Sequence, residues 1–225
     1  MIGFIVAMKK EANLFLDSVD SHESKNIAGK EVYFGRYLNE DFALVICGIG
    51  KVNAGFCTQL LIDKFNPRLI INFGVAGGKE NSDLNAGDTA LISKVCQFDF
   101  DLSEIDDVNI GYMQDYDRTY YETAYKMYTG DKLKTYIGAT GDRFTRLDYF
   151  KKIIRDLDGQ VVDMECGAIA QVCTANEVPL LILKLISDVE GKDGSIFEQY
   201  YNNVESVSSK FPESIKELLT NLNFN

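Results

Sequence analysis

The feature that most constrains the fold is a series of short apolar runs that alternate with segments of helical spacing. The most continuous run covers residues 180–186, and apolar side chains on both of its faces predict a strand covered on both sides. Strands are predicted at 2–7, 31–36, 42–47, 69–75, 88–93, 133–140, 161–163 and 180–186. Helices are predicted at 51–65, 119–129, 146–157, 165–175 and 195–222. The pattern predicts an α/β fold with a mixed sheet between layers of helices.

Composition narrows the class of protein. The chain has 225 residues, of which 46% are hydrophobic and 25% charged, as in a folded globular protein. Because no linker rich in proline, glycine and serine divides it, we expect one domain over residues 1–225. The net charge of −11 argues against binding to nucleic acid or to anionic membranes. The first apolar run is too short to span a bilayer and follows no basic region, so we expect a cytoplasmic protein.

Cysteine and histidine limit the available chemistry. The five cysteines are scattered and form no Cys-x-x-Cys pair, which favours buried thiols in a reducing compartment. The one histidine, His22, lies in a polar stretch typical of a loop or a solvated edge. A serine or cysteine triad and a histidine-rich zinc site both need a better-placed histidine. We therefore expect carboxylates to perform any acid–base chemistry.

Three carboxylates lie just beyond predicted strands, where open α/β sheets collect their ligands. Glu165 opens a helix of small apolar residues, and its alternative role is a first-turn glutamate favoured by the helix dipole. Asp188 follows the most apolar strand, where burial would raise its pKa and make it a proton donor, although it could equally be a helix cap. Glu11 follows the first strand, and two neighbouring lysines make a solvated position the alternative.

Two glycine-rich segments also follow strands. Residues 74–78 read Gly-Val-Ala-Gly-Gly, and residues 48–51 read Gly-Ile-Gly-Lys. Neither has the spacing of a dinucleotide-binding motif or a phosphate-binding loop. Each is predicted to be a tight turn, with close backbone approach to a ligand as the alternative.

Taken together, these segments resemble a known family. The matching pieces are Ala-Met-Lys-Lys-Glu at 7–11, Gly-Ile-Gly-Lys-Val at 48–52, Asn-Phe-Gly-Val-Ala-Gly-Gly at 72–78, Gly-Asp-Arg-Phe at 141–144, Val-Asp-Met-Glu at 162–165 and Ile-Ser-Asp at 186–188. In order and approximate spacing they resemble the bacterial 5′-methylthioadenosine/S-adenosylhomocysteine nucleosidases, of the nucleoside phosphorylase-like superfamily. The resemblance covers nearly the whole chain. It implies a three-layer α/β/α fold with a mixed, partly barrel-like sheet, a homodimer, and no metal or organic cofactor.

The resemblance also implies roles for individual residues. Asp188 would protonate or hydrogen-bond adenine N7, Glu11 would activate the attacking water, and Glu165 would hold the ribose hydroxyls. These roles agree with the needs of glycosidic cleavage, which are an acid, a base and negative charge near the developing cation. Phe144 would stack on adenine, and the Thr145 backbone would read the edge of the base. The remaining substrate contacts implied are Met8, Ile49, Val75, Gly77, Met164, Ser187 and Phe197.

The sequence departs from the family pattern at Val75, where relatives commonly carry a hydroxyl, and at Thr145, where they carry an apolar residue. A phosphorylase of the same fold would need a cluster of cations for phosphate, and Arg36 and Arg143 are the only candidates. A non-catalytic nucleoside-binding protein is a further alternative. Other adenosine derivatives, such as aminodeoxyfutalosine or 5′-deoxyadenosine, also remain open. The pocket for the 5′ group would draw on Ile49, residues 96–106 and a partner subunit.

Overall fold

A mixed sheet of ten strands forms the middle layer of the protein. The structure, a computed structural model, describes residues 1–19, 21–144, 147–192 and 194–224. The strands are β1 (Ile2–Val6), β2 (His22–Ile27), β3 (Lys30–Tyr37), β4 (Glu40–Ile46), β5 (Leu69–Gly78), β6 (Thr89–Gln97), β7 (Tyr121–Glu122), β8 (Lys134–Thr140), β9 (Val161–Asp163) and β10 (Leu180–Val189). The helices are α1 (Lys9–Leu16), α2 (Lys51–Phe65), α3 (Ser103–Asp106), α4 (Asp148–Asp156), α5 (Cys166–Ala175), α6 (Ile196–Ser208) and α7 (Phe211–Thr220).

The sheet closes on itself at one end. Its strand order is β10-β6-β8-β9-β5-β1-β4-β3-β2, and β10 also pairs with β5, so five strands form a small barrel. The other end is an open extension that finishes at β2, whose residues are almost all exposed. His22 begins this edge strand, which confirms the prediction of a solvated edge.

Helices cover both faces of the sheet. On one face, α2 and α5 pack against each other and against a core that includes Ala54, Leu61 and Ile169. On the other face, α1 and α7 bury Phe15 and Phe211 among the rings of β1 and β5. This arrangement confirms the predicted three-layer α/β/α fold with a partly barrel-like sheet. None of the helices in the described ranges is long and apolar enough to cross a membrane.

The C-terminal helical segment differs from its prediction. Instead of one helix over 195–222, α6 ends at Ser208 and α7 begins at Phe211, with Pro212 in its first turn. Proline has no N–H to donate and is favoured in the first turn of a helix, so the chain begins a new helix here. The start of α6 is fixed by Ser195, whose hydroxyl accepts the Glu198 N–H while the Glu198 carboxylate accepts the Ser195 N–H.

The predicted helix over 119–129 is wrong. This segment contains the short strand β7 and one 3₁₀ turn over Tyr125–Met127. Tyr121 is fully buried beside β6, and the Thr123 hydroxyl donates to the Ile92 carbonyl. Pairing and burial against β6 therefore override the local helical spacing.

Candidate active site

A cavity of about 260 Å³ opens beside β5, β9 and β10. It is lined by every predicted site residue that the structure describes, namely Met8, Glu11, Ile49, Val75, Gly77, Phe144, Met164, Glu165, Ser187, Asp188 and Phe197. Thr145 lies outside the described residues. Residues 96–106 were expected near the 5′ group of the substrate. None of them is among the described residues that line the cavity in this single chain.

Glu11 enters the cavity from the first turn of α1. Its Oε2 atom accepts the Met8 N–H at 3.0 Å, which ties the carboxylate back over the start of the helix. Its Oε1 atom accepts the Val75 N–H from β5 at 2.9 Å. Glu11 is only 1% exposed, so the solvated position considered for it is wrong. Burial raises the pKa of Glu11, although the two N–H donors and the charge of Lys184 oppose the shift.

Glu165 stands at the junction between β9 and α5. It is the N-cap residue of α5, and its Oε1 atom accepts the Gly50 N–H at 2.9 Å. The glycine turn predicted at 48–51 is present, and positive φ angles at Gly48 and Gly50 explain the two glycines. Burial, reinforced by the negative charge of Asp163, raises the pKa of Glu165 to about 7.

A buried ion pair also lines the cavity, close to these carboxylates. Lys184 Nζ is 3.0 Å from Asp163 Oδ2, and both side chains are almost completely buried. Asp163 also accepts the Thr140 hydroxyl at 2.6 Å and the Cys166 N–H at 2.9 Å. Burial alone would raise the pKa of Asp163, but Lys184 and these donors hold it below its ordinary value. The ion pair is therefore fully hydrogen-bonded on its acidic side, as a buried pair needs to be.

Lys184 and Asp163 are not among the predicted site residues, although the sequence contains a signal for them. A single lysine in the most apolar strand needs an anionic partner, because an unpaired buried charge is very costly. Burial alone would lower the pKa of Lys184, but the acidic groups around it, Asp163 foremost and also Cys166 and Glu165, together outweigh burial and raise the pKa. The permanent cation then supplies positive charge close to Glu11 and Glu165.

The glycine-rich segment at 74–78 is not a turn, and that prediction is wrong. Strand β5 continues through Gly78 because these residues pair with β10. The glycines instead allow carboxylate side chains to approach the backbone of β5 closely. A Cβ atom at Gly77 would lie 3.0 Å from Asp188 Oδ2, and one at Gly74 would lie 3.4 Å from Glu11 Oε1. Both carboxylates therefore pack against backbone that carries no side chain.

Asp188 occupies an irregular point near the end of β10, where the pairing register with β5 shifts. The Ser187 hydroxyl donates to Asp188 Oδ1 at 2.7 Å. Burial raises the pKa of Asp188, and the Ser187 hydrogen bond opposes that shift only in part. Asp188 lies within a strand, so the alternative role as a helix cap is wrong.

Aromatic side chains form one wall of the cavity. The rings of Phe144 and Phe197 stack with centroids 4.5 Å apart and planes inclined by 28°. Tyr200 meets Phe144 edge-on and also lines the cavity, together with Tyr201. The two tyrosines were missed, but positions 197, 200 and 201 have the spacing of one helix face.

The chain is similar to known proteins over nearly its whole length. A family model described as the phosphorylase superfamily matches residues 1–220. A 5′-methylthioadenosine/S-adenosylhomocysteine nucleosidase from Bacillus cereus is 32% identical, over 97% of this chain and 99% of the relative. The chain belongs to the 5′-methylthioadenosine/S-adenosylhomocysteine nucleosidase family of the phosphorylase superfamily.

Solved structures of this nucleosidase family have the same fold. The enzyme from Colwellia psychrerythraea, in complex with adenine, has a TM-score of 0.85 and 26% identity, and the match covers 98% of this chain and 95% of that one. Futalosine hydrolase of Helicobacter pylori has a TM-score of 0.88, and the match covers 98% and 97% of the two chains. At 24% identity, futalosine hydrolase shows the shared fold alone.

In the described part of the chain, the candidate basic side chains do not converge on one point where they could bind phosphate. The Arg36 side chain is exposed on β3, and its Nε atom lies 3.8 Å from Asp41 Oδ1. Arg143 lines the cavity, but its guanidinium lies 4.3 Å from the centre of the Phe150 ring. Lys184 also lines the cavity, but its ammonium is paired with Asp163. Phosphate binding needs several converging donors, so the geometry favours water as the nucleophile.

Proposed function

We propose that this protein hydrolyses the N-glycosidic bond of 5′-methylthioadenosine and S-adenosylhomocysteine, releasing adenine and the 5-thioribose product. The observation that carries the proposal is the convergence of three buried carboxylates, Glu11, Glu165 and Asp188, on one cavity. Glycosidic cleavage needs an acid, a base and negative charge beside an oxocarbenium-like transition state. The nucleosidase relatives support the same reaction.

Asp188 is the proposed general acid. The leaving adenine gains electrons on its ring as the bond breaks, and a proton at N7 neutralises that charge. The raised pKa of Asp188 favours the protonated form that can supply it. The adjacent Ser187 hydroxyl donates to one carboxyl oxygen and so leaves the other oxygen as the proposed donor.

Glu11 is the proposed general base. Its two N–H partners, from Met8 and Val75, fix the plane of the carboxylate without removing its capacity to accept a proton. Its raised pKa makes it a stronger base than an exposed glutamate. At Val75, where the family commonly has a hydroxyl, the backbone N–H still orients the base.

Glu165 is the proposed ribose ligand. Its Oε1 atom accepts the Gly50 N–H, and its other oxygen remains available for a sugar hydroxyl. With a pKa of about 7, Glu165 exchanges a proton readily near neutral pH. Positive charge developing on the sugar would favour the ionised form, so the interaction strengthens as the bond breaks.

The other contacts complete the proposed substrate site. Phe144 stacks on adenine, and Gly77 lies beside the base. Met8, Met164 and Phe197 surround the ribose, and Ile49 faces the 5′ group at the cavity mouth.

We also propose that the protein is a cytoplasmic homodimer. All five cysteines are buried and free, which fits a reducing compartment. On the outer face of α2 and the turn before it, Ile49, Val52 and Phe56 are 55%, 84% and 46% exposed. Adjacent exposed apolar side chains of this kind mark an interaction surface, and the mouth of the cavity lies beside them.

The test is adenine release from 5′-methylthioadenosine, followed by ultraviolet absorbance with and without phosphate. Release at the same rate in both buffers supports hydrolysis, whereas release only with phosphate would make the protein a phosphorylase. S-adenosylhomocysteine, 5′-deoxyadenosine and aminodeoxyfutalosine are assayed in parallel. A higher kcat/KM for aminodeoxyfutalosine or 5′-deoxyadenosine would overturn the proposed substrate while retaining the reaction.

A further inference from the structure

Two loops that each contribute a residue to the cavity lining are not joined by the sheet. Residues 48–51 follow β4 and carry the Gly50 N–H that holds Glu165. Residues 141–144 follow β8 and carry Phe144. In the sheet, β9, β5 and β1 separate β8 from β4, so no strand pairing fixes the distance between these loops.

A cluster of short hydrogen bonds joins the two loops instead. Lys51 donates its backbone N–H to Asp142 Oδ1 at 2.7 Å and its ammonium to Asp99 Oδ1 at 2.6 Å. Asp99, which follows β6, accepts the Asp142 N–H on its other oxygen at 2.8 Å. We call Lys51, Asp99 and Asp142 the Lys51 latch. It connects segments that leave three different strands.

The latch is more enclosed than an ordinary surface ion pair. The side chains of Lys51 and Asp99 are each 18% exposed, whereas those of the Lys152–Asp156 pair in α4 are 74% and 57% exposed. Partial burial strengthens the attraction and reduces screening by salt. The latch residues do not belong to the described cavity lining, so they act on the site only through the two loops.

The sequence of the loop is adapted to the latch. A Cβ atom at Gly50 would lie 3.0 Å from Asp142 Oδ1, and the φ angle of Gly50 is +100°. Glycine is the residue that tolerates both constraints. Its N–H thus reaches Glu165 while the next N–H in the chain reaches Asp142.

We propose that Lys51, through Asp99 and Asp142, is a positioning residue that sets Phe144 relative to Glu165. The proposal rests on the proposed function, in which adenine stacks on Phe144 and Glu165 holds the ribose. Without the Lys51 ammonium, Asp99 retains its bond to the Asp142 N–H but loses its cation. The 141–144 loop then has more freedom, and the stacking ring must be ordered when the base binds.

The test is adenine binding measured by isothermal titration calorimetry on the intact protein. Lys51→Met retains the aliphatic stem, and we expect it to weaken adenine binding by roughly tenfold, as for residues that share one network. Lys51→Arg restores the positive charge and should recover most of the affinity. Lys152→Met removes an ion pair of the same 2.6 Å length outside the cavity and should bind adenine as the wild type does.

Repeating the measurement in the Phe144→Leu variant distinguishes a positioning role of Lys51 from a general loss of structure. In Phe144→Leu, the ring that the latch positions is absent, so adding Lys51→Met should cause little further loss of adenine binding. Equal losses in both backgrounds would overturn the proposal, as would wild-type binding by Lys51→Met. If Lys51→Met does not fold, Asp99→Asn is measured in both backgrounds with the same criteria. Failure of the wild type to release adenine from any nucleoside would instead overturn the proposed function.

Discussion

Four carboxylates, those of Glu11, Asp163, Glu165 and Asp188, are buried around one cavity, and such a concentration of negative charge requires compensation. Lys184 provides a buried positive charge that favours the ionised forms of Asp163, Glu165 and Glu11. Only Asp163 makes a direct ion pair with it. Asp163 is therefore held ionised, whereas Glu11 and Glu165 retain raised pKa values and the ability to exchange protons.

The roles of Asp188 and Glu11 can be separated from their contribution to folding. Asp188→Asn and Glu11→Gln remove proton transfer but little volume, so we expect kcat to fall by about 10²–10⁴-fold with the fold retained. The measurement is adenine release, with circular dichroism to check folding. Asp156→Asn, which changes an exposed aspartate in α4, is the matched control. Retained turnover in either active-site variant would contradict the corresponding role.

Glu165 should make stability depend on pH. Because its folded-state pKa is raised from 4.5 to about 7, its stabilising contribution is complete below pH 4.5 and is lost as pH rises through about 7. Glu165→Gln should therefore raise the free energy of unfolding relative to wild type more at pH 8 than at pH 5, by on the order of 2 kcal/mol. Urea unfolding at both pH values measures this difference.

The matched control for Glu165→Gln is Glu205→Gln, which removes an exposed carboxylate from α6. It should change the free energy of unfolding little at either pH. An identical effect of Glu165→Gln at pH 5 and pH 8 would show that Glu165 titrates as an ordinary glutamate. Loss of kcat/KM in the same variant is expected from its proposed contact with the ribose.

At the scale of elements, the pairing of β5 with β10 determines where Asp188, the proposed acid, lies. The two strands run parallel through the glycine-rich segment, and the register shift between Ile186 and Asp188 places Asp188 opposite Gly77. A small residue on one strand thus makes room for a carboxylate on the other. The position of the proposed acid therefore depends on both strands of the pair.

Gly77→Ala tests this pairing. The new Cβ atom would lie 3.0 Å from Asp188 Oδ2, so the carboxyl must move, and we expect kcat/KM to fall by at least about tenfold. The matched control is Gly55→Ala in α2, where the nearest atom would be 3.8 Å away. That variant should retain activity and gain about 0.5–1 kcal/mol in free energy of unfolding. Activity of Gly77→Ala equal to wild type would refute the steric argument.

At the scale of the whole molecule, the exposed face of α2 and the mouth of the cavity are adjacent. Ile49 belongs to both, since it lines the cavity and is 55% exposed. A second copy docked on this face would therefore border the mouth of the cavity. The 5′ group, in which the proposed substrates differ, would lie at that mouth. Subunit association and substrate selection would then involve the same surface.

Val52→Glu tests the proposed dimer. Val52 is 84% exposed, so a charge there should leave the fold intact but oppose burial against a second copy. We expect the molar mass from light scattering to fall from dimer to monomer. Lys64→Gln lowers the net charge by the same amount at an exposed position of α2 and should leave the dimer intact. A monomeric wild type would rule out this interface.

Much of this protein could be predicted from local sequence. Runs that are apolar on both faces predicted the central strands, and carboxylates just beyond them indicated the proposed acid–base groups, because strand ends collect ligands in such sheets. Only the tertiary structure decided that residues 119–129 pair with β6 and that residues 74–78 continue a strand. It also paired Lys184 with Asp163 and joined the loops through the Lys51 latch. Local sequence encodes which faces are apolar, whereas these last features depend on which strands become neighbours.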